Sequence, residues 1–331
     1  MNIVITGGSG FLGQKLARAL LAQDGSTNGC THLLLADRVA GADLGDARVQ
    51  YAIGDTCDQA FVAHLAAEAD VIYHLAAVVS SEAEADFDLG MRVNIDAARL
   101  LLDACRASAR CPRVIFTSSV AVFGPSEPET LINDDSAVDP RSSYGMEKAV
   151  VELLVAEYSR RGFIDGLTLR LPTISVRPGL PNKAASSFAS SIIREPLCGQ
   201  AAICPVPHDT ALWLLSPRKA IAALVHAGAL DTCGLGSRRV VNLPGLSVTA
   251  GDMLNALEII GGQKARAMVN DVPDAAVEKI VASWPAAWDD ATARTLGFEG
   301  DATIAQIIDA FISDDLPSQQ ILRKKTAGHT E

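Results

Sequence analysis

Apolar residues in the first half of the chain fall in short unbroken runs, separated by longer stretches in which they recur every three or four positions. "NIVIT" (2–6), "HLLLAD" (32–37), "VIYHLAA" (71–77), "RVIFTSS" (113–119) and "LTLRLPT" (167–173) are rich in Val, Ile and Leu and are flanked by Gly, Asp or Ser. Runs of this kind read as strands buried on both faces, as in a parallel sheet. Between them, 11–23, 59–67, 91–108 and 143–161 carry helical periodicity. Strict alternation of strand and helix predicts βαβ units and hence an α/β fold, a doubly wound parallel sheet that takes ligands at the carboxyl ends of its strands.

The rhythm breaks after Thr173. "ISVRPGLPNKAASSF" (174–188) is punctuated by Pro and Gly, and 189–210 reads as irregular, as expected of segments that cover a site. A helix is expected over 211–227, a strand returning to the sheet over 239–245, and two or three helices with a short strand near 265–272 within 249–315. The expected organisation is a Rossmann sheet domain of 1–173 plus 211–244, a smaller interleaved α+β substrate domain of 174–210 plus 245–316, and a polar tail over 317–331.

With 331 residues, 49% of them apolar, the chain can bury a large core. Its formal net charge of −11 argues against partners such as nucleic acid or an anionic membrane, and an anionic substrate would need a local cationic pocket. Seven scattered cysteines without a C-x-x-C motif suggest reduced thiols rather than a disulfide framework or a zinc site. Six dispersed histidines offer no H-x-x-x-H pattern, so no catalytic metal is expected. The opening "MNIVITGG" lacks a basic leader and no run is long enough to span a membrane, which makes a cytoplasmic location the expectation.

"ITGGSGFLG" sets Gly7, Gly8, Gly10 and Gly13 between the first strand and the first helix. Glycines there let the backbone turn sharply and approach a pyrophosphate, whose charge meets the free N–H groups of the helix start. Gly7, Gly10, Phe11, Leu12 and Gly13 are therefore candidate contacts to a dinucleotide. Asp37 ends the second strand, where a carboxylate can accept from the adenosine ribose and repel a 2′-phosphate. This favours NAD, although Arg38 could partner the phosphate of NADP. Asp55 in "GDTCD" can accept from the adenine amino group or serve only as a turn acid.

In "SSYGMEK" (142–148), Tyr144 and Lys148 lie four apart on one side of a helix, so the ammonium can favour an ionised phenol. Alone, the pair equally describes a solvated helix face. Ser119 closes the strand "VIFTSS", where its hydroxyl could hold a substrate oxygen while Tyr144 exchanges a proton with it. Lys148 could also reach the nicotinamide ribose.

These residues together resemble the extended short-chain dehydrogenase/reductases. The resemblance runs through "TGGSGFLG", "DR" at 37–38, "GD" at 54–55, "HLAA" at 74–77, Asn94, "SSVAVFG" at 118–124, "YGMEK" at 144–148 and "RLPT" at 170–173. It implies Ser119, Tyr144 and Lys148 as the catalytic set. It further implies cofactor contacts from Leu75, Ala76, Ala77, Thr117, Pro172 and Ile174. Phe123 departs from the pattern, standing where an aromatic hydroxyl is often seen, and only packing should be affected. Dehydratases of the superfamily carry Thr-Asp-Glu where Thr117, Ser118 and Ser119 stand, so a dehydration is not expected.

In the second half, Arg177, Asn182 and Lys183 could hold a carboxylate and neighbouring hydroxyls, or could be solvated loop positions. Ser80, beyond "HLAAVV", is a further candidate substrate contact, and His208 a weaker one. The stretch 169–200 looks like the D-erythronate dehydrogenase branch, which implies oxidation of the 2-hydroxyl of a small anionic polyhydroxy acid with NAD. A nucleotide-sugar epimerase is the nearest alternative, and a non-catalytic NAD-binding scaffold a more distant one. Apolar excess on 143–161 (Val150, Val151, Leu153, Leu154, Val155) and on 91–108 (Leu100, Leu101, Leu102) predicts a homodimer built on these helices, unless the chain encloses both itself.

Overall fold

The computed structural model describes residues 1–23, 29–124, 131–180, 185–237 and 239–327, with the side chains of 322–327 left aside. Seven strands form the main sheet: β1 (Asn2–Thr6), β2 (His32–Asp37), β3 (Val49–Ile53), β4 (Val71–His74), β5 (Arg113–Ser119), β6 (Asp165–Leu171) and β7 (Val240–Asn242). Their order is β7-β6-β5-β4-β1-β2-β3, and the sheet is parallel. The unbroken apolar runs are explained by this arrangement: β4 and β5 are buried almost throughout, since helices cover both faces. After β3 the chain crosses back to pair β4 with β1, and the crevice at their carboxyl ends is the switch point where such sheets bind ligands.

The helices of this unit include α1 (Phe11–Leu21), α2 (Gln59–Ala66), α3 (Ser80–Ala85), α4 (Phe87–Gly90), α5 (Ala97–Ser108) and α6 (Ser143–Arg160). The pattern at 91–108 resolves into a π-helical turn, Met91–Asp96, running into α5. Val62, Leu65, Ile72, Leu101, Phe116 and Val151 share one apolar cluster, so the stripes read from the sequence do face the sheet.

The chain divides into two compact units: Met1–Val122 with Val138–Arg170 and Ile221–Asn242, and Phe123–Ala137 with Leu171–Ala220 and Leu243–Glu331. In the second unit, strand Ala211–Leu215 lies between Thr173–Ile174 and Leu246–Thr249. Ala202–Cys204 pairs in parallel with Val269–Asp271. Phe188, Ile192, Leu212, Leu214, Met253, Leu257 and Phe311 are in its core.

Three local expectations are corrected. Residues 211–215 form a strand and only Pro217–Ala229 a helix, because "ALWLL" is buried along most of its length and shows no helical face. Helix Phe188–Leu197 occupies part of the segment read as irregular, its Phe188, Ile192 and Ile193 inserted in the core. The polar end forms helix Leu316–Ala327, and Gln319 anchors it by accepting from Gly179 N–H at 2.6 Å and donating to Gly179 C=O at 3.0 Å.

Candidate active site

The turn after β1 is set by Gly7, whose φ of 70° is left-handed, and it closes with Gly10 N–H donating to Gly7 C=O at 3.1 Å. Gly10 is the N-cap of α1 and offers no side-chain bond to the helix start. The first turn of α1 also contains no acidic residue to compete for its N–H groups. The N–H groups of the first turn of α1, which Phe11, Leu12 and Gly13 open, are thus available to an anion, although these three residues do not themselves line the neighbouring cavity.

A cavity of about 370 Å³ opens there, lined by Gly7, Gly10, Asp37, Arg38, Asp55, Leu75, Ala76 and Ala77 among the expected residues. Gly54 of the "GD" motif lines it too, as do Ala36, Thr56, Val78, Glu82, Leu89 and Val93, which were not among the expected contacts. Val78 and Val93 carry no chemical signature, and only their closeness in space to the glycine turn reveals them. Asp37 is held by two backbone donors, Ser9 N–H at 3.1 Å and Arg38 N–H at 2.7 Å. Asp55 accepts from Cys57 N–H at 2.9 Å, which holds its carboxyl below the usual range. The glycine turn, the helix start and an acid at the end of β2 fit a dinucleotide.

The residues expected to be catalytic lie at the carboxyl end of β5, for Ser119, and in the first turns of α6, for Tyr144 and Lys148. Ser142 caps α6 by accepting from Gly145 N–H at 3.2 Å. A methyl group at Gly145 would overlap the Ala121 carbonyl oxygen, so glycine lets the helix start close on the chain just past Ser119. Ser119 Oγ accepts from Ala121 N–H at 3.2 Å. Lys148 is buried, donates to the Thr117 carbonyl at 3.0 Å, and sets its ammonium 4.7 Å from the Phe116 ring centre and 5.4 Å from that of Tyr144. Burial brings the Lys148 ammonium down to about 8, while Glu147 and Glu152 pull it the other way.

Two buried polar groups brace this arrangement. Ser118 donates to Glu152 at 2.5 Å, and Arg170 pairs with the same carboxylate through two bonds of 2.9 and 2.6 Å. His74 is linked to Thr6 at 2.8 Å across β4 and β1, and burial lowers its imidazole to about 3, with Lys148 adding to the effect.

A model of the NAD dependent epimerase/dehydratase family matches residues 3–210. The chain belongs to this family. Within it, a D-erythronate dehydrogenase of Cupriavidus necator is 55% identical over 95% of this chain and 98% of its own. A D-erythronate dehydrogenase of Haemophilus influenzae is 45% identical over 96% of this chain and 100% of its own. The crystal structure of a nucleoside-diphosphate-sugar epimerase from Agrobacterium tumefaciens superposes with a TM-score of 0.90, at 42% identity, covering 97% of this chain and 96% of that one.

The remaining expected residues of this epimerase/dehydratase family member are distributed as follows. Ser80 is buried at the start of α3. Thr117 is buried and donates to the His74 carbonyl at 3.4 Å. Pro172, Ile174 and Arg177 belong to the second unit, where Arg177 N–H donates to Ser190 Oγ at 3.0 Å and its carbonyl accepts from Arg194 at 2.5 Å. Asn182 and Lys183 lie outside the described residues. His208 pairs with Asp271 at 2.9 Å on the surface, with the Cys204 thiol close by and donating to the Val206 carbonyl at 3.4 Å. Phe123 is buried and packs on Trp288, 5.9 Å between ring centres. Among the described residues no helix is long and apolar enough to cross a membrane.

Proposed function

We propose that the protein is an NAD-dependent dehydrogenase that oxidises the 2-hydroxyl of a small sugar acid, D-erythronate, to the 2-oxo acid. The observation that carries this reading is the Lys148 ammonium, fixed by the Thr117 carbonyl and lying 5.4 Å from the Tyr144 ring centre, in the unit that carries the glycine cradle. A buried cation so close favours the phenolate, and a phenolate is a base for an alcohol proton. The substrate is taken from the two D-erythronate dehydrogenases at 55% and 45% identity.

Bound in the cradle, NAD supplies the hydride acceptor. Tyr144 takes the hydroxyl proton, Ser119 holds that oxygen, and Lys148 keeps the phenolate favoured. Arg177 is assigned to the substrate carboxylate, because a guanidinium pairs with it in two parallel bonds; Asn182 is assigned to the neighbouring hydroxyls. Asp37 receives the adenosine ribose hydroxyls, and Asp55 the adenine amino group. Leu75, Ala76, Ala77 and Thr117 line the cofactor, with Pro172 and Ile174 at the nicotinamide amide. Two copies of the chain pair through α5 and α6, and the enzyme works in the cytoplasm, in keeping with its seven free cysteines. The division of labour follows the sequence-derived domains, 1–173 plus 211–244 for cofactor and 174–210 plus 245–316 for substrate.

The test is a screen of four- to six-carbon sugar acids with NAD and NADP, read as absorbance of the reduced nicotinamide. D-Erythronate with NAD should give the highest kcat/KM. Tyr144→Phe should lower turnover at least ~100-fold, the low end for a lost general base; a variant with normal turnover removes Tyr144 from the proton transfer. The likeness to the Agrobacterium epimerase favours a second reading, nucleotide-sugar epimerisation. Conversion of a UDP-hexose without net reduction of NAD would select it.

A further inference from the structure

We propose that Glu147 is a positioning residue of the reaction: through Asn94 it ties the Val78 segment of the nucleotide cavity to the helix that presents Tyr144 and Lys148. The inference rests on the proposed function for the roles of those two residues. Glu147 directly precedes Lys148 in α6 and is completely buried, at 0% exposure. A carboxyl group withdrawn from water lowers stability unless its bonds are replaced; the Lys148 charge offsets part of that cost for Glu147, and a hydrogen bond offsets more.

Its partner is the side chain of Asn94. Asn94 Oδ1 accepts from Val78 N–H at 2.8 Å, and Nδ2 donates to Val78 C=O at 3.1 Å and to Glu147 Oε2 at 2.5 Å. One acceptor and two donors are thus all engaged, which fixes both the tilt and the orientation of the amide. Val78 continues the segment 75–77 along the cavity wall, so its backbone position is set by an amide that Glu147 holds from behind.

Two features make room for this link. Asn94 sits in the π-helical turn Met91–Asp96, an irregularity that re-aims side chains and is common at functional sites. Gly90 lies against the carboxyl group, and a methyl there would overlap Glu147 Oε1. On the neighbouring α3, Glu84 accepts from Ser143 N–H at 2.9 Å, so the start of α6 is held beside Glu147 by a second acid.

Without an acceptor at position 147, one N–H of Asn94 would be buried with no bond, and the amide would be held only by its two bonds to Val78. The test is fluorescence titration with NADH, paired with steady-state kinetics. Glu147→Leu should weaken NADH about tenfold, equivalent to about 1.4 kcal/mol, and raise KM for NAD in parallel. The KM for the sugar acid should stay within about twofold. Glu147→Gln keeps an oxygen for Asn94 and should return NADH affinity to within about twofold of wild type. A purely structural role would lower the Tm of Glu147→Leu and leave NADH affinity unchanged, and that result overturns the proposal. A Gln variant as weak as the Leu variant overturns it too.

If Glu147→Leu does not accumulate in folded form, Glu147→Asp replaces it under the same criteria, since its carboxylate is one methylene too short for Asn94. Wild-type protein that binds NADH but oxidises no sugar acid would defeat the proposed function while leaving the binding comparison decisive for Glu147.

Discussion

His74 is a core residue whose protonation the fold resists. In the unfolded chain its imidazole titrates near 6.5, whereas in the fold burial, aided by Lys148, brings it to about 3. Between those values the unfolded chain binds one proton more than the fold, so stability falls as pH drops from 6.5 towards 3. The loss is about 1.4 kcal/mol per pH unit across the middle of that window. His74→Gln should flatten the pH dependence of the urea midpoint by about one proton there; an unchanged slope would show that another group dominates acid unfolding. Such a role was not legible in the sequence, where a histidine in a strand run looks the same whether it titrates or not. The glycine turn and the Tyr144–Lys148 spacing are legible because each is a local pattern, and Asp37 because it closes a strand run, although its partner Ser9 lies 28 positions away. Asn94 with Glu147, and Glu152 with Arg170, are pairs separated by 53 and 18 positions, and only packing brings them together.

At the scale of elements, α6 is pinned to the sheet by a buried ion pair. Arg170 of β6 and Ser118 of β5 share the Glu152 carboxylate, and Arg170 also reaches Asn242 of β7 at 3.3 Å. Removing one partner strands the other charge, so Arg170→Met should cost about 3–5 kcal/mol in urea unfolding. Adding Glu152→Leu should recover most of that loss, because an apolar pair of similar volume often replaces a buried ion pair without penalty. A double variant no better than the single one would mean that the network is a specific scaffold for the Ser119 strand. Elements whose apolar pattern decides their geometry were readable, as β1, β2, β5 and α6 show. Strand 211–215 was not, since a short unbroken apolar run fits a buried helix as well as a strand. Helix 188–197 was hidden by its serines and by Pro196, residues of low helix propensity that core contacts override.

For the whole molecule, the open question is what covers α6. Val151 and Val155 turn into the core, but Leu153 is 70% exposed in the single chain. Leu101 and Leu102 are buried as well, and Val150, Leu154 and Leu100 are partly buried against the same core, so Leu153 alone of this apolar excess is left exposed for a second copy to cover. Sedimentation at micromolar concentration should find a dimer, and Leu153→Arg should shift it to monomer with the fold intact. A wild-type monomer would discard the pairing of helices. The parallel, doubly wound sheet followed from the alternation of the elements, whereas a surface shared with another chain leaves no trace in spacing beyond such an excess.

The two backbone donors on Asp37 bear on efforts to re-engineer coenzyme choice. Truncating this side chain to admit a phosphorylated ribose would also strip the amides of Ser9 and Arg38 of their acceptor, loosening the loop meant to receive the new group. Asparagine cancels the charge yet keeps an oxygen, and the largely exposed Arg38 beside it has only a long 4.0 Å ion pair with Asp55 to give up in swinging towards a phosphate. Asp37→Asn should therefore gain use of NADP at little thermal penalty, whereas Asp37→Ala should melt several degrees lower; paired KM and melting measurements would tell the two designs apart.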